Sequence, residues 1–210
     1  MIVVIGYLIG SLSFSNWFAT RFAKTDLLSF GSKNAGASNV GQLLGTKVMV
    51  VVGCLDLGKG AISLWVGRYL DLSTDCLVLL GSAVITGHCW SCFLHFRGGR
   101  GIASLTGVIL GLGWFNVVGT SLLIASIGLI CGNRPVFVAL AVSGLPLLGL
   151  IFDKNPLGLT LLAAIIFVKR ILGHTLIPES PDGMLRGYVR RMIFDRDVIS
   201  NIGWIRREDE

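Results

Sequence analysis

Charge is scarce in this chain. Lys, Arg, Asp and Glu supply 14% of the 210 residues, well below the quarter typical of soluble domains. Apolar residues reach 53%, mean hydropathy is +0.76, and these residues fall in blocks. A soluble globular core is excluded, and a polytopic helical membrane protein is implied. No Lys or Arg precedes the first apolar block, Ile2 to Thr20, so it reads as a retained span rather than a cleaved signal. Cys54, Cys76, Cys89, Cys92 and Cys131 are odd in number and lie in or beside apolar blocks, which argues against a disulfide framework. There is no Gly-x-Ser-x-Gly elbow, no Walker A loop, no internal repeat and no low-complexity segment.

What is present is organised by the bilayer. The apolar pattern predicts spans near 2–20, 48–67, 76–94, 102–115, 117–132, 135–152 and 156–172. The expected fold is therefore all-α, integral to the membrane, with about seven transmembrane helices. With the N-terminus outside, 15 of the 18 basic residues fall on the cytoplasmic side, including Arg97, Arg100, Arg134, Lys169 and Arg170. Fusing 102–132 into one helix would destroy that asymmetry, so two short helices are expected there. A net charge of +6 is explained by topology, and no nucleic-acid partner is implied.

Residues 1–172 form the membrane domain of this reading, and 173–210 a cytoplasmic tail. In the tail, Met184, Leu185, Tyr188, Val189, Met192 and Ile193 share one side of a helical wheel. Arg186, Arg190 and Arg191 share the other, the pattern of an interfacial helix on an anionic leaflet. A solvated tail is the competing reading.

Two glycine-rich polar stretches interrupt the apolar pattern: Gly31-Ser32-Lys33-Asn34-Ala35-Gly36-Ala37-Ser38-Asn39 and Arg97-Gly98-Gly99-Arg100-Gly101. Each is expected just before a helix that enters the membrane from the cytoplasmic face. Glycine lets backbone N–H groups turn toward an anion, and a helix start adds its positive dipole end. Two such loops suit a protein that holds phosphate groups at the lipid boundary.

Three other groups carry possible chemistry. Asp56 and Lys59 are three residues apart within the second span and can pair on one helical face. They read equally as an internal ion pair or as part of the site. His88, Cys89, Cys92 and His95 are metal-ligand types, but one straight helix cannot wrap four ligands tetrahedrally about an ion. No metal and no cofactor is expected, and His88 reads as a hydrogen-bonding or proton-handling group.

Gly31–Val40, Leu55-Asp56-Leu57-Gly58-Lys59-Gly60 and Gly87–Gly101 resemble, in order, motifs of the bacterial PlsY family. These are integral membrane acyltransferases that move an acyl group from acyl phosphate to glycerol 3-phosphate. The resemblance covers roughly the first 110 residues. It implies a seven-span protein of the bacterial inner membrane, embedded among membrane lipids, with its active site on the cytoplasmic face and acyl phosphate and glycerol 3-phosphate as its substrates. It implies Ser32, His88, Arg97 and Arg100 as the catalytic set. Gly31, Asn34, Gly36, Ser38, Asn39, Asp56, Lys59, Gly98, Gly99 and Gly101 would then bind substrate.

The chain departs from that family at four places. Gln42 stands where the family usually carries an arginine, and Arg100 where it carries a lysine. The family's His-x-x-Asn-x-x-Arg pattern after the last span is replaced by Lys169-Arg-Ile-Leu-Gly-His-Thr-Leu176, and a serine-rich start of the sixth span by Asn133-Arg134-Pro135. A non-catalytic lipid- or phosphate-binding homologue is therefore the second reading, and a small anion transporter the third. The transporter would need a polar path through the bilayer, and only Asp56 and Lys59 offer one.

Overall fold

The computed structural model describes residues 1–172, 188, 189 and 191–193. Among them the regular structure is helical, with one isolated bridge between Ser91 and Arg97. The chain divides into two compact units, Met1–Trp114 and Phe115–Glu210.

The first unit starts with α1 (Ile2–Ser11) and α2 (Phe14–Phe18), the latter running into a π-helical turn, Ala19–Ala23. The expected first span is thus broken at Leu12, which is extended (φ −64°, ψ 112°). The Ser13 hydroxyl caps the restart by accepting from the Asn16 N–H at 3.4 Å. Taken together, Ile2–Ala23 is long and apolar enough to cross a membrane, as is α4 (Thr46–Tyr69). Between them lies α3 (Ala37–Leu44), an eight-residue helix that the apolar pattern did not foretell. The first glycine-rich stretch therefore leads into α3, not directly into a span, and Gly45 (φ +91°) separates α3 from α4.

Next come α5 (Thr74–Cys89) and α6 (Ile102–Gly111). The third expected span ends earlier than its apolar run. After Cys89 the chain leaves the helix, makes a short 3-10 turn at Cys92–Leu94, and takes positive φ at His95 and Phe96.

The surface polarity of α4 is inverted relative to a soluble helix. Asp56, Lys59 and Ser63 are buried, while Val50, Val51, Ile62, Trp65 and Val66 are exposed. That is the arrangement of a helix facing lipid on one side and a polar interior on the other. Its contact with α6 rests on small residues: a Cβ on Gly60 would sit 2.6 Å from the Ser104 carbonyl, and one on Gly107 would collide with the Leu57 carbonyl.

The second unit contains α7 (Phe115–Ile130), α8 (Arg134–Ser143), α9 (Leu145–Ile151) and α10 (Pro156–Ile171). The 102–132 stretch is two helices, interrupted at Gly113 (φ +78°). The expected sixth span is itself split into α8 and α9, bent by 47°. Pro146 explains the split, because its ring and missing N–H prevent the helix from running through. Among the described residues, two helices are long and apolar enough to cross a membrane, or three with α8 and α9 counted as one; α5, α6 and α7 are shorter apolar helices.

Tyr188, Val189 and residues 191–193 are helical; the rest of the expected interfacial helix lies outside the described residues. Val189 and Met192 are exposed, whereas Arg191, expected on the solvated face, is buried and donates to the Ile171 carbonyl at 3.4 Å. Its guanidinium closes the open C-terminal end of α10.

Candidate functional site

The first glycine-rich loop is organised by the side chain of Asn39, 2% exposed on α3. Its Nδ2 donates to the carbonyls of Leu27 (3.2 Å), Phe30 (2.9 Å) and Asn34 (3.0 Å), and its Oδ1 accepts from the Ser32 N–H at 3.2 Å. Every polar position of that amide is spent inside the loop. Gly31 is needed beside it: φ is +52°, and a Cβ would fall 2.6 Å from Asn39 Oδ1. The α3 helix is itself pinned by Val40, which packs with Ala19, Leu27 and Val52.

The second loop follows from the early end of α5. Ser91 Oγ donates to the Ser11 carbonyl at 2.6 Å, and its backbone N–H pairs with the Arg97 carbonyl at 3.2 Å. This turns the chain back so that the Gly99 N–H reaches the His88 carbonyl at 3.0 Å. A Cβ at Gly99 would collide with His88 Nε2, so only glycine lets the loop lie on the imidazole.

The two loops meet. The Ala35 N–H donates to the Gly98 carbonyl at 3.3 Å. The Asn34 carboxamide, oriented to satisfy both neighbours, donates to Gly98 and accepts from Arg100 Nε at 3.3 Å. Arg97 reaches across to the Leu28 carbonyl at 3.3 Å.

Beneath them lies a buried polar cluster. Lys59 Nζ stands 2.9 Å from Asp56 Oδ1, 2.9 Å from His88 Nδ1, 3.0 Å from the Gly10 carbonyl and 2.9 Å from the Leu12 carbonyl. His88 Nδ1 is also 3.4 Å from Asp56 Oδ1. The internal ion pair has therefore formed, and it does more than join two side chains. The Lys59 ammonium takes up the carbonyls left open where α1 breaks. An ammonium can only donate, so His88 Nδ1 accepts and the imidazole proton is assigned to Nε2, toward Gly99.

The expected site residues thus sort into a rim and a base. Gly31, Ser32, Gly36, Arg97 and Arg100 are partly exposed and Ser38 is exposed; Asn34, Asn39, Asp56, Lys59, His88, Gly98, Gly99 and Gly101 are buried. Two contributors escaped the sequence reading: the carbonyls of Gly10 and Leu12, and the Ser91 clasp. The helix-capping serine at Ser13 was the available signal for the break that exposes those carbonyls. Among the described residues no group of three or more His, Cys, Asp or Glu side chains gathers as a metal site.

The glycerol-3-phosphate acyltransferase family pattern matches residues 1–175. The chain belongs to the glycerol-3-phosphate acyltransferase family. A glycerol-3-phosphate acyltransferase of Lawsonia intracellularis is 30% identical over 168 residues, covering 79% of this chain and 85% of the relative. One from Fusobacterium nucleatum is 39% identical over 110 residues, covering 52% and 57% respectively. In that alignment, and in one to a Thermoanaerobacter pseudethanolicus relative (43% identical, 54% of its length), the chain spans little more than half of its match. The structure resembles the crystal structure of PlsY (YgiH), an integral membrane glycerol 3-phosphate acyltransferase, in its glycerol 3-phosphate form. The TM-score is 0.72 at 27% identity, over 80% of this chain and 86% of that one. The lysophosphatidic acid form of the same protein gives 0.70 at 26% identity. That PlsY protein is integral to the membrane, and the exposed face of α4 here is likewise apolar.

Proposed function

We propose that the chain transfers an acyl group from acyl phosphate to glycerol 3-phosphate, giving 1-acyl-glycerol 3-phosphate (lysophosphatidic acid) and inorganic phosphate. The observation that carries this reading is the direct joining of two glycine-rich, partly cationic loops through Asn34, Ala35, Gly98 and Arg100. Both substrates carry phosphate, and two adjoining anion-binding loops bring two phosphates near each other. The glycerol 3-phosphate and lysophosphatidic acid forms of PlsY support the acceptor and the product of this reaction.

Acyl phosphate is a mixed anhydride with a good leaving group, so no side-chain nucleophile is required. The primary hydroxyl of glycerol 3-phosphate attacks the acyl carbon and an ester C–O bond forms. The C–O bond to phosphate breaks, and the hydroxyl proton leaves with the departing phosphate. What the protein supplies is positioning and charge neutralisation. Ser32, Ser38, Gly31 and Gly36 line one cradle, Arg97 and Arg100 bring positive charge from the other, and His88 backs them through Gly99. Asn34 and Asn39 hold the loops, and Asp56 with Lys59 holds His88.

The seven-span topology, with the loops on the cytoplasmic face of the bacterial inner membrane, belongs to this proposal. It is supported by the distribution of basic residues, and the shorter helices α5, α6 and α7 are shielded by neighbours or thin the bilayer locally. The test is phosphate release from purified protein given palmitoyl phosphate, with and without glycerol 3-phosphate. Release that requires glycerol 3-phosphate and disappears in Arg100→Ala is the expected result. Binding of both substrates without release would instead favour a non-catalytic homologue, the reading to which Gln42 points.

A further inference from the structure

The turn that delivers Arg97 to the second loop is strained. His95 (φ +53°) and Phe96 (φ +57°) both take left-handed backbone, which residues bearing a Cβ disfavour. Phe93, His95 and Phe96 are exposed, so burial does not hold the turn in place. Hydrogen bonds at its root do. The Ser91 carbonyl accepts from the Leu94 N–H at 3.1 Å and the Phe96 N–H at 2.8 Å, and Ser91 Oγ accepts from the Phe93 N–H at 3.2 Å. Ser91 is 1% exposed, and its two donors go to the Arg97 and Ser11 carbonyls.

A second tie stands beside the first. Tyr7 lies about one turn before Ser11 on α1, and its hydroxyl donates to the Trp90 carbonyl at 2.7 Å. The α1 helix is itself seated on α5 through glycines. A Cβ on Gly10 would collide with the Val84 carbonyl, and one on Gly87 with the Tyr7 carbonyl. Trp90 and Ser91 are therefore referenced to a closely packed pair of helices.

We infer that Tyr7 and Ser91 are positioning residues for the reaction: together they fasten the strained 91–97 turn to α1 and so set where Arg97 and the glycines after it meet phosphate. This rests on the proposed acyl transfer. Both residues act through the backbone of the turn. Strained backbone persists only where its surroundings over-determine it. With either tie cut, the turn relaxes toward ordinary φ values and the cationic loop moves from its place. Small displacements of that kind are costly where catalysis consists of positioning.

The test is steady-state kinetics of the full-length protein in detergent with palmitoyl phosphate and glycerol 3-phosphate. Tyr7→Phe keeps the ring and removes only the hydroxyl. It should lower kcat/KM about fivefold, the effect of one net hydrogen bond, with a raised KM for one substrate or both. Ser91→Ala, which loses a donor and an acceptor, should do so more strongly. Thr86→Val is the control: its hydroxyl donates to the Ser82 carbonyl within α5 at 2.8 Å and makes no tie to the turn, so kcat/KM should stay at the parent value. A merely structural role predicts a lower Tm and less active protein, with both KM values unchanged. Parental KM values in Tyr7→Phe and Ser91→Ala would therefore overturn the inference, whether or not Tm falls. If the parent transfers no acyl group, the proposed activity falls, and the ties are read from inorganic phosphate binding by calorimetry. Binding about fivefold weaker in Tyr7→Phe than in the parent would uphold them; equal or absent binding in both would overturn them.

Discussion

Lys59 Nζ and His88 Nδ1 lie 2.9 Å apart inside the first unit, joining α4 to the end of α5. The same ammonium holds Asp56 and the Gly10 and Leu12 carbonyls, so one side chain ties three helices to the floor under both loops. Replacing Lys59 with Met leaves a buried carboxylate and two buried carbonyls without their cation. A loss of about 3–5 kcal/mol is expected, read as a large drop in Tm in detergent. The double variant Lys59→Met, Asp56→Leu should recover much of that loss, because the stranded charge is gone. No recovery would mean that the carbonyls, not the carboxylate, dominate the cost.

The close approach of α4 and α6 predicts a second effect on stability. Gly107→Val would drive a branched side chain into the Leu57 carbonyl and force the helices apart. Gly53→Ala on α4, the helix that α6 packs against, has open space around its Cβ and serves as the control. Thermal unfolding should separate the two sharply, and equal Tm values would show that the helices can shift apart at little cost.

Helix placement was largely legible in the sequence, because a bilayer imposes length and hydropathy on each crossing segment. The interruption at Gly113 followed from glycine and from the charge distribution. The breaks at Leu12 and Gly144 were not legible, since apolar runs continue through both and the causes are a serine cap and Pro146. The two glycine-rich loops were visible as composition. That they touch was not, because the contact depends on α5 ending at Cys89 well inside its apolar run. Asn39 shows the same limit. Its residue type suits a phosphate ligand, and only the fold reveals an amide already committed to four backbone groups. Arg191 is a third case: a wheel diagram puts it in solvent, yet the last carbonyls of α10 draw it inward.

That commitment gives Asn39 a testable signature. Asn39→Asp retains the acceptor for Ser32 but loses both donor hydrogens and adds a buried charge, whereas Asn39→Ala loses everything. Both should lower stability by about 1–3 kcal/mol, the cost of stranding buried polar groups, and both should raise KM for glycerol 3-phosphate. If Asn39→Asp matched the parent in stability while failing only in binding, Asn39 would be a direct ligand rather than the loop's organiser.

The proposed topology can be checked without activity. A cysteine introduced near the C-terminus of a variant lacking the five native cysteines should resist a membrane-impermeant maleimide in intact cells and react after permeabilisation. Reaction in intact cells would place the tail outside, and the seven-span arrangement would fall.

Gln42 supplies the sharpest test of how the first loop meets phosphate. It is exposed on α3, and its Oε1 lies about 3.3 Å from where a Cβ on Gly31 would be, so the carboxamide already faces the loop. A guanidinium placed there would add a planar, fully charged donor beside Ser32 and Gly31. A charge-assisted bond to phosphate is stronger than a neutral amide contact by about 1 kcal/mol. Gln42→Arg should therefore tighten glycerol 3-phosphate binding about fivefold, measured by calorimetry in detergent, and the gain should shrink as salt is added. A glutamine-to-lysine change should gain less, because a point charge cannot form the forked contact. Unchanged affinity in both variants would show that phosphate does not occupy the Gln42 side of the loop, and would move the glycerol 3-phosphate site toward Arg97 and Arg100.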